Sequence, residues 1–136
     1  MMSGAQLAIN YMTRLIVLVA VLCALSGAAH AEVQSQILVQ SSPLAGFQYH
    51  AGKANWAELR EGDALQLVRE PDNAYDRNAV RVEWQGHKLG YVPRRDNAAV
   101  ARMLDRAVPL DAKITRLLQS RNPWQRVLFE VYVPLQ

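Results

Sequence analysis

Residues 69–94, REPDNAYDRNAVRVEWQGHKLGYVPR, leave the chain few choices of fold. Ala79, Val80, Val82 and Trp84 interleave with Arg81 and Glu83, the apolar and polar alternation of a half-buried strand. Gln85 and Gly86 then turn the chain, and residues 87–92 return as a second strand with Leu89 and Val92 toward a core. Pro93 closes that strand, because proline cannot donate to a central ladder. Upstream, Pro71 and Asn73 end the strand that reaches Arg69 and open an exposed loop over residues 71–78. Tyr75 and Asp76 stand at the tip of this loop.

The rest of the chain supplies more short elements of the same kind. Residues 37–40 predict a strand broken by Pro43 and Gly46, and in GFQYHAG an extended stretch sets Phe47 and Tyr49 on one face. Asn55 is placed to cap a helical turn through Trp56 and Leu59 that ends at Gly62, and residues 64–69 alternate as a strand. Asp96 or Asn97 can cap a helix over residues 98–107, where Val100, Met103 and Leu104 recur at helical spacing and Pro109 stops the pattern. The last two strands fall at 111–119 and 126–133, joined by a turn over 120–123 that exposes Trp124. Many short strands, two short helices and frequent turn residues predict a mainly β protein, a small closed or partly open barrel of about six strands.

The N-terminus is of another kind. Arg14 precedes the uncharged run LIVLVAVLCALSGAA, which leads into Ala29, His30 and Ala31, the small-x-small pattern of a secretory cleavage site. The run covers about 15 residues, where a spanning helix needs roughly 20. The pattern therefore predicts a hydrophobic signal helix in residues 1–31, a linker and the start of the first strand over 32–40, and a domain over 41–136. It predicts a periplasmic or secreted product with no membrane attachment after cleavage. Cys23, the one cysteine, would leave with the signal, so no disulfide can support the domain.

Catalytic chemistry finds no foothold. His50 and His87 have no cysteine or metal-type spacing around them, and no nucleophile elbow, phosphate-cradling glycine loop or dinucleotide fingerprint occurs. The expectation is a non-enzyme without cofactor or metal. Asp72 and Asp76 share a loop, with Arg69, Arg77 and Arg81 near enough in sequence to neutralise them. The whole chain carries 15 Lys and Arg against 12 Asp and Glu, so polyanion binding needs a local cluster, not net charge.

The segments AGFQYHAG at 45–52, LREGDALQLVREPDNAYDRNAVRV at 59–82 and GHKLGYVPRRDNAAVARML at 86–104 resemble the HIRAN domain family, found at the N-terminus of some SWI/SNF-type DNA translocases and as stand-alone bacterial proteins. The resemblance implies an OB-like β-barrel with two helices and, as in characterised eukaryotic members, a pocket for the 3′-hydroxyl end of single-stranded DNA. Carried over, it implies that Tyr49 and Tyr75 stack on terminal bases, that Asp76 accepts a hydrogen bond from the 3′-hydroxyl, and that Arg94 contacts phosphate. Trp124 stands near an aromatic that lines the groove. Gln48 occupies a position where end-binding members carry arginine, and Tyr91, counted among the nucleic-acid-binding residues, one where they carry histidine.

Stacking is worth roughly 1–3 kcal/mol per base and tolerates any base, so the tyrosines would bind without reading sequence. A carboxylate beside a polyanion makes sense only facing a hydroxyl donor, which makes Asp76 a selector for an unphosphorylated end. The plain alternative is that Tyr49 is a core or rim tyrosine, and that Tyr75, Asp76 and Asn78 are turn formers, with an Asp or Asn side chain bonded to its own backbone. The predicted export also favours a rival, an exported barrel that binds a peptide, a glycan or a protein partner.

Overall fold

The computed structural model describes residues 3–24 and 35–135, which fall into two units. The first unit contains helix α1, Gly4–Ala24. Among the described residues no helix is long and apolar enough to cross a membrane. The expected cleavage point after Ala31 lies outside the described residues.

The second unit is built on six strands: β1 (Gln36–Pro43), β2 (Ala64–Arg69), β3 (Val80–Trp84), β4 (His87–Tyr91), β5 (Asp111–Leu117) and β6 (Val127–Pro134). Two short helices, α2 (Gly52–Asn55) and α3 (Asn97–Asp105), accompany them. All pairings are antiparallel, in the order β1-β6-β5-β2-β3-β4. β2 divides its length between two partners: Ala64 and Leu65 pair with β5, and Gln66 to Arg69 with β3.

Closure comes from one short contact. Just beyond β1, Ala45 and Tyr91 exchange backbone hydrogen bonds of 2.9 Å each way, which joins the first strand of the order to the last. A barrel has no free edge where it is closed, and this bridge supplies the last link. Gly90 permits it, because a Cβ there would sit 2.2 Å from the Ala45 carbonyl oxygen.

The β3–β4 hairpin follows its sequence pattern. Val80, Val82 and Trp84 are buried and Arg81 and Glu83 are half-exposed, while Gln85 and Gly86 turn the chain with φ of 48° and 80°. Positive φ at both central residues matches the right-handed twist of the strands, which makes the turn compatible with a tight hairpin. Leu89 and Val92 join Phe47, Ile114, Phe129 and Val131 in the core. Complete burial of such side chains contributes roughly 1.5–3 kcal/mol each, which lets a chain of this size fold without staples.

Three local expectations differ from the structure. Residues 47–49 form a 3-10 turn, not an extended stretch, because Gly46 takes a left-handed φ of 74° and Tyr49 N–H closes onto the Gly46 carbonyl. Phe47 is thereby buried and Tyr49 thrown out at 79% exposure, so they do not share a face. Asn55 ends α2 and its side chain donates to the Ala51 carbonyl at 2.8 Å, so it does not cap a helix starting at Trp56. The helical turn begins earlier since Gly52 packs flat against Phe47, where a Cβ would come within 2.1 Å of the ring. β1 also runs past the expected 37–40, with Ser41 and Ser42 paired to Glu130 and Phe129 despite their polar side chains.

Candidate functional site

Between β2 and β3 the 71–78 loop is held in shape by one amide. Asn73 Oδ1 accepts from the backbone N–H of Tyr75 at 3.0 Å and of Asp76 at 3.1 Å, while its Nδ2 donates to Glu70 Oε1 at 3.1 Å. Wrapping the loop around Asn73 leaves the Tyr75 ring 89% exposed. Asp76 is gripped on both oxygens: Oδ1 accepts from Asn78 N–H at 2.9 Å, and Oδ2 from Asn97 Nδ2 at 2.7 Å. A carboxylate offers about four lone-pair sites, so acceptor capacity remains after these two bonds.

A second network anchors the loop from beneath. Glu70 Oε1 also accepts from the Tyr91 hydroxyl at 2.9 Å, and Oε2 from Arg81 at 3.0 Å. Lys88 Nζ donates to the Tyr91 oxygen at 2.7 Å, and the His50 ring stands edge-on to Tyr91 with centroids 5.8 Å apart. Burial alone would raise the Glu70 pKa, but the bonds from Asn73 and Tyr91 and the charges of Lys88 and Arg81 outweigh it and hold the carboxyl below its ordinary range. His50 is lowered, chiefly by burial and then by Lys88.

Two cavities share Asn73, Tyr75, Asp76 and Arg94 as a common ridge. On one side lies a cavity of about 440 Å³ completed by Arg77, Asn78, Asn97 and others. On the other lies one of about 280 Å³ floored by Ala45, Ala79 and Val92 with Tyr91 on its wall. The first can offer polar groups and positive charge to a backbone, the second an apolar floor to a flat ring.

Of the residues proposed from sequence, the structure thus gathers Tyr75, Asp76, Tyr91 and Arg94. Tyr49, on its 3-10 turn, and Trp124, half exposed in a 3-10 turn over Pro123–Gln125, line neither cavity. The expected neutralisation of Asp72 and Asp76 by neighbouring arginines does not occur. Arg69 pairs with Asp105 at 3.0 Å and Arg81 pairs with Glu70 and Glu83, while Arg77 and Arg94 make no ion pair among the described residues.

Sequence reasoning missed three contributors. Arg77 was assigned to charge balance, Asn73 only to turn formation, and Asn97 only to helix capping. Asp96 holds the cap position of α3 without a side-chain cap bond, which releases Asn97 for Asp76. For Asn73 a signal was available, since an Asn followed by Tyr75 and Asp76 in a turn segment is the pattern of a side chain bonding its own backbone two residues on.

A bridged antiparallel barrel with its exposed aromatic, acid and cation drawn to one loop-lined cleft defines a small β-barrel binding module. The chain belongs to the HIRAN domain family, whose profile matches residues 37–136. It is 31% identical over 109 residues to a SWI/SNF-related matrix-associated actin-dependent regulator of chromatin, subfamily A member 3-like 1, of Arabidopsis thaliana, a match covering 74% of this chain and 12% of that protein. The chain spans 6% to 12% of the length of the curated relatives it matches. The fold is similar to the crystal structure of the HIRAN domain of human HLTF, with a TM-score of 0.55 at 21% identity over 71% of this chain and 78% of that one. It is also similar to a crystal structure of a protein from Lactobacillus plantarum, with a TM-score of 0.58 at 28% identity over 72% of this chain and 97% of that one.

Proposed function

We propose that this module binds single-stranded DNA and captures its 3′-hydroxyl end on the Tyr75–Asp76–Arg94 ridge. The carrying observation is the juxtaposition in one cleft of an exposed ring, a carboxylate and two guanidiniums, none of the three charged groups in an ion pair among the described residues. Tyr75 offers a stacking face, the apolar floor beside Tyr91 receives the terminal base, and Arg77 and Arg94 attract backbone phosphate. Asp76 accepts from a terminal hydroxyl and repels a phosphate in the same place. Tyr49 and Trp124, outside the two cavities, are left to stack on bases further along the strand. The role is binding, without catalysis or cofactor.

Fluorescence anisotropy with oligonucleotides that differ only in a 3′-hydroxyl or a 3′-phosphate tests this reading. The hydroxyl end binds more tightly; equal affinities remove the role given to Asp76.

A separate proposal, carried by the uncharged run that precedes Ala31, is that the module lies in the periplasm or outside the cell after removal of residues 1–31. That run also supports a second reading, in which the cleft of an exported barrel takes a peptide, a glycan or a protein partner. Fractionation with N-terminal sequencing decides export: a product starting at Glu32 agrees with it, and Met1 or Met12 retained on a cytoplasmic product refutes it.

A further inference from the structure

We infer that Asn97 is the positioning residue that aims Asp76 into the cleft and so sets how sharply the module tells a hydroxyl end from a phosphorylated one. The inference rests on the end-binding reading of the site. Asn97 begins α3, is 2% exposed and still lines the larger cavity. Its amide reaches across to the 71–78 loop and donates to Asp76 Oδ2 at 2.7 Å, while Asn78 N–H holds Oδ1 at 2.9 Å. One oxygen is fixed from the loop and the other from the helix, so rotation of the carboxylate is blocked at both ends.

A buried side-chain amide costs free energy unless it is hydrogen-bonded, and an apolar side chain would fill the same space more cheaply. What the amide supplies here, beyond volume, is a fixed donor for one acid. Asp76 lines both cavities, so the acceptor capacity left after its two bonds is offered to a guest in the cleft. Without Asn97 the carboxylate keeps its turn, held by Asn78 N–H, but can swing. A hydroxyl then finds its acceptor misplaced and a phosphate meets a weaker repulsion, and both effects narrow the preference.

The test uses the full chain with Asn97→Leu, which keeps the branched shape and removes the donor, and Asn97→Ala, which removes the donor without adding bulk. Each is titrated with the same oligonucleotide ending in a 3′-hydroxyl or in a 3′-phosphate, and the ratio of the two affinities is read. A partly unfolded variant weakens both apparent affinities by the same factor, so the ratio isolates geometry from stability. The ratio is expected to fall about five- to tenfold in both variants, the loss of one hydrogen bond's worth of orientation. A wild-type protein that prefers the hydroxyl end, with variants of unchanged ratio, overturns this inference and leaves the end-binding reading standing. A wild-type ratio of one overturns the reading itself.

Discussion

Replacing Gly90 with alanine should open the barrel at its bridge and disturb the cleft in one step. The added Cβ would lie 2.2 Å from the Ala45 carbonyl oxygen, 3.3 Å from its carbonyl carbon and 3.2 Å from Leu44 Cγ. Two of those neighbours are backbone, so a side-chain rotation cannot relieve the overlap. The chain must instead separate Ala45 from Tyr91, and with that it loses the two 2.9 Å hydrogen bonds of the closure. Each such bond is worth about 0.5–1.5 kcal/mol net, and leaving its groups unpaired in a buried place costs about 1–3 kcal/mol. A total of about 2–4 kcal/mol follows, which for a domain near 100 residues lowers the melting temperature by roughly 10–25 °C. Circular dichroism melts of wild type and Gly90→Ala measure this. Because Tyr91 and Ala45 line the smaller cavity, the variant should also bind strand ends more weakly at temperatures where it is folded. A variant that melts within 2 °C or so of wild type would refute the claim that this contact closes the barrel.

Further outcomes follow from the same geometry. Glu70→Gln should destabilise the domain by about 1–2 kcal/mol at neutral pH. Since the folded pKa of Glu70 is depressed, the stabilisation is complete above the unfolded carboxyl range and vanishes as pH falls through the folded value, so the two proteins should converge in acid melts. Arg77→Ala and Arg94→Ala should each weaken single-strand binding and lower the salt slope by about 0.7, whereas Arg95→Ala, whose guanidinium already faces Asp96 at 3.3 Å, should do less. Tyr75→Ala should cost about 1–3 kcal/mol of binding with no change in melting temperature, since the ring is 89% exposed. A matching loss of stability would mean that the ring belongs to the fold and not to the site.

How far the sequence speaks depends on the range of the interaction concerned. The β3–β4 hairpin was legible because its signals are local: alternation from Val80 to Trp84 and two turn residues that accept positive φ. The α2 turn was misplaced because Asn55 looks like a cap, whereas the contact that fixes the turn, Gly52 on the Phe47 ring, leaves no periodic trace. In the site, the loop carrying Tyr75 and Asp76 could be read from Pro71 and Asn73. Its anchoring could not: Asn97 reaches Asp76 across 21 residues, and so does Tyr91 to Glu70. Both partners are explicable only once the barrel brings α3 and β4 beside the loop. Tyr49 was drawn to the site by resemblance, and the left-handed Gly46 that sets its direction carries no message about where the ring will point.

Amide NMR on the intact chain, titrated with a short single strand ending in a 3′-hydroxyl, tests the location of binding most directly. The largest shifts are expected on the backbone N–H of Tyr75, Asp76 and Asn78 and on the side-chain amide of Asn97, which reports the Asp76 carboxylate from inside the fold. Shifts confined to the separate cavity lined by Lys53, Trp56, Gln119 and Arg126, with the 71–78 loop silent, would contradict it.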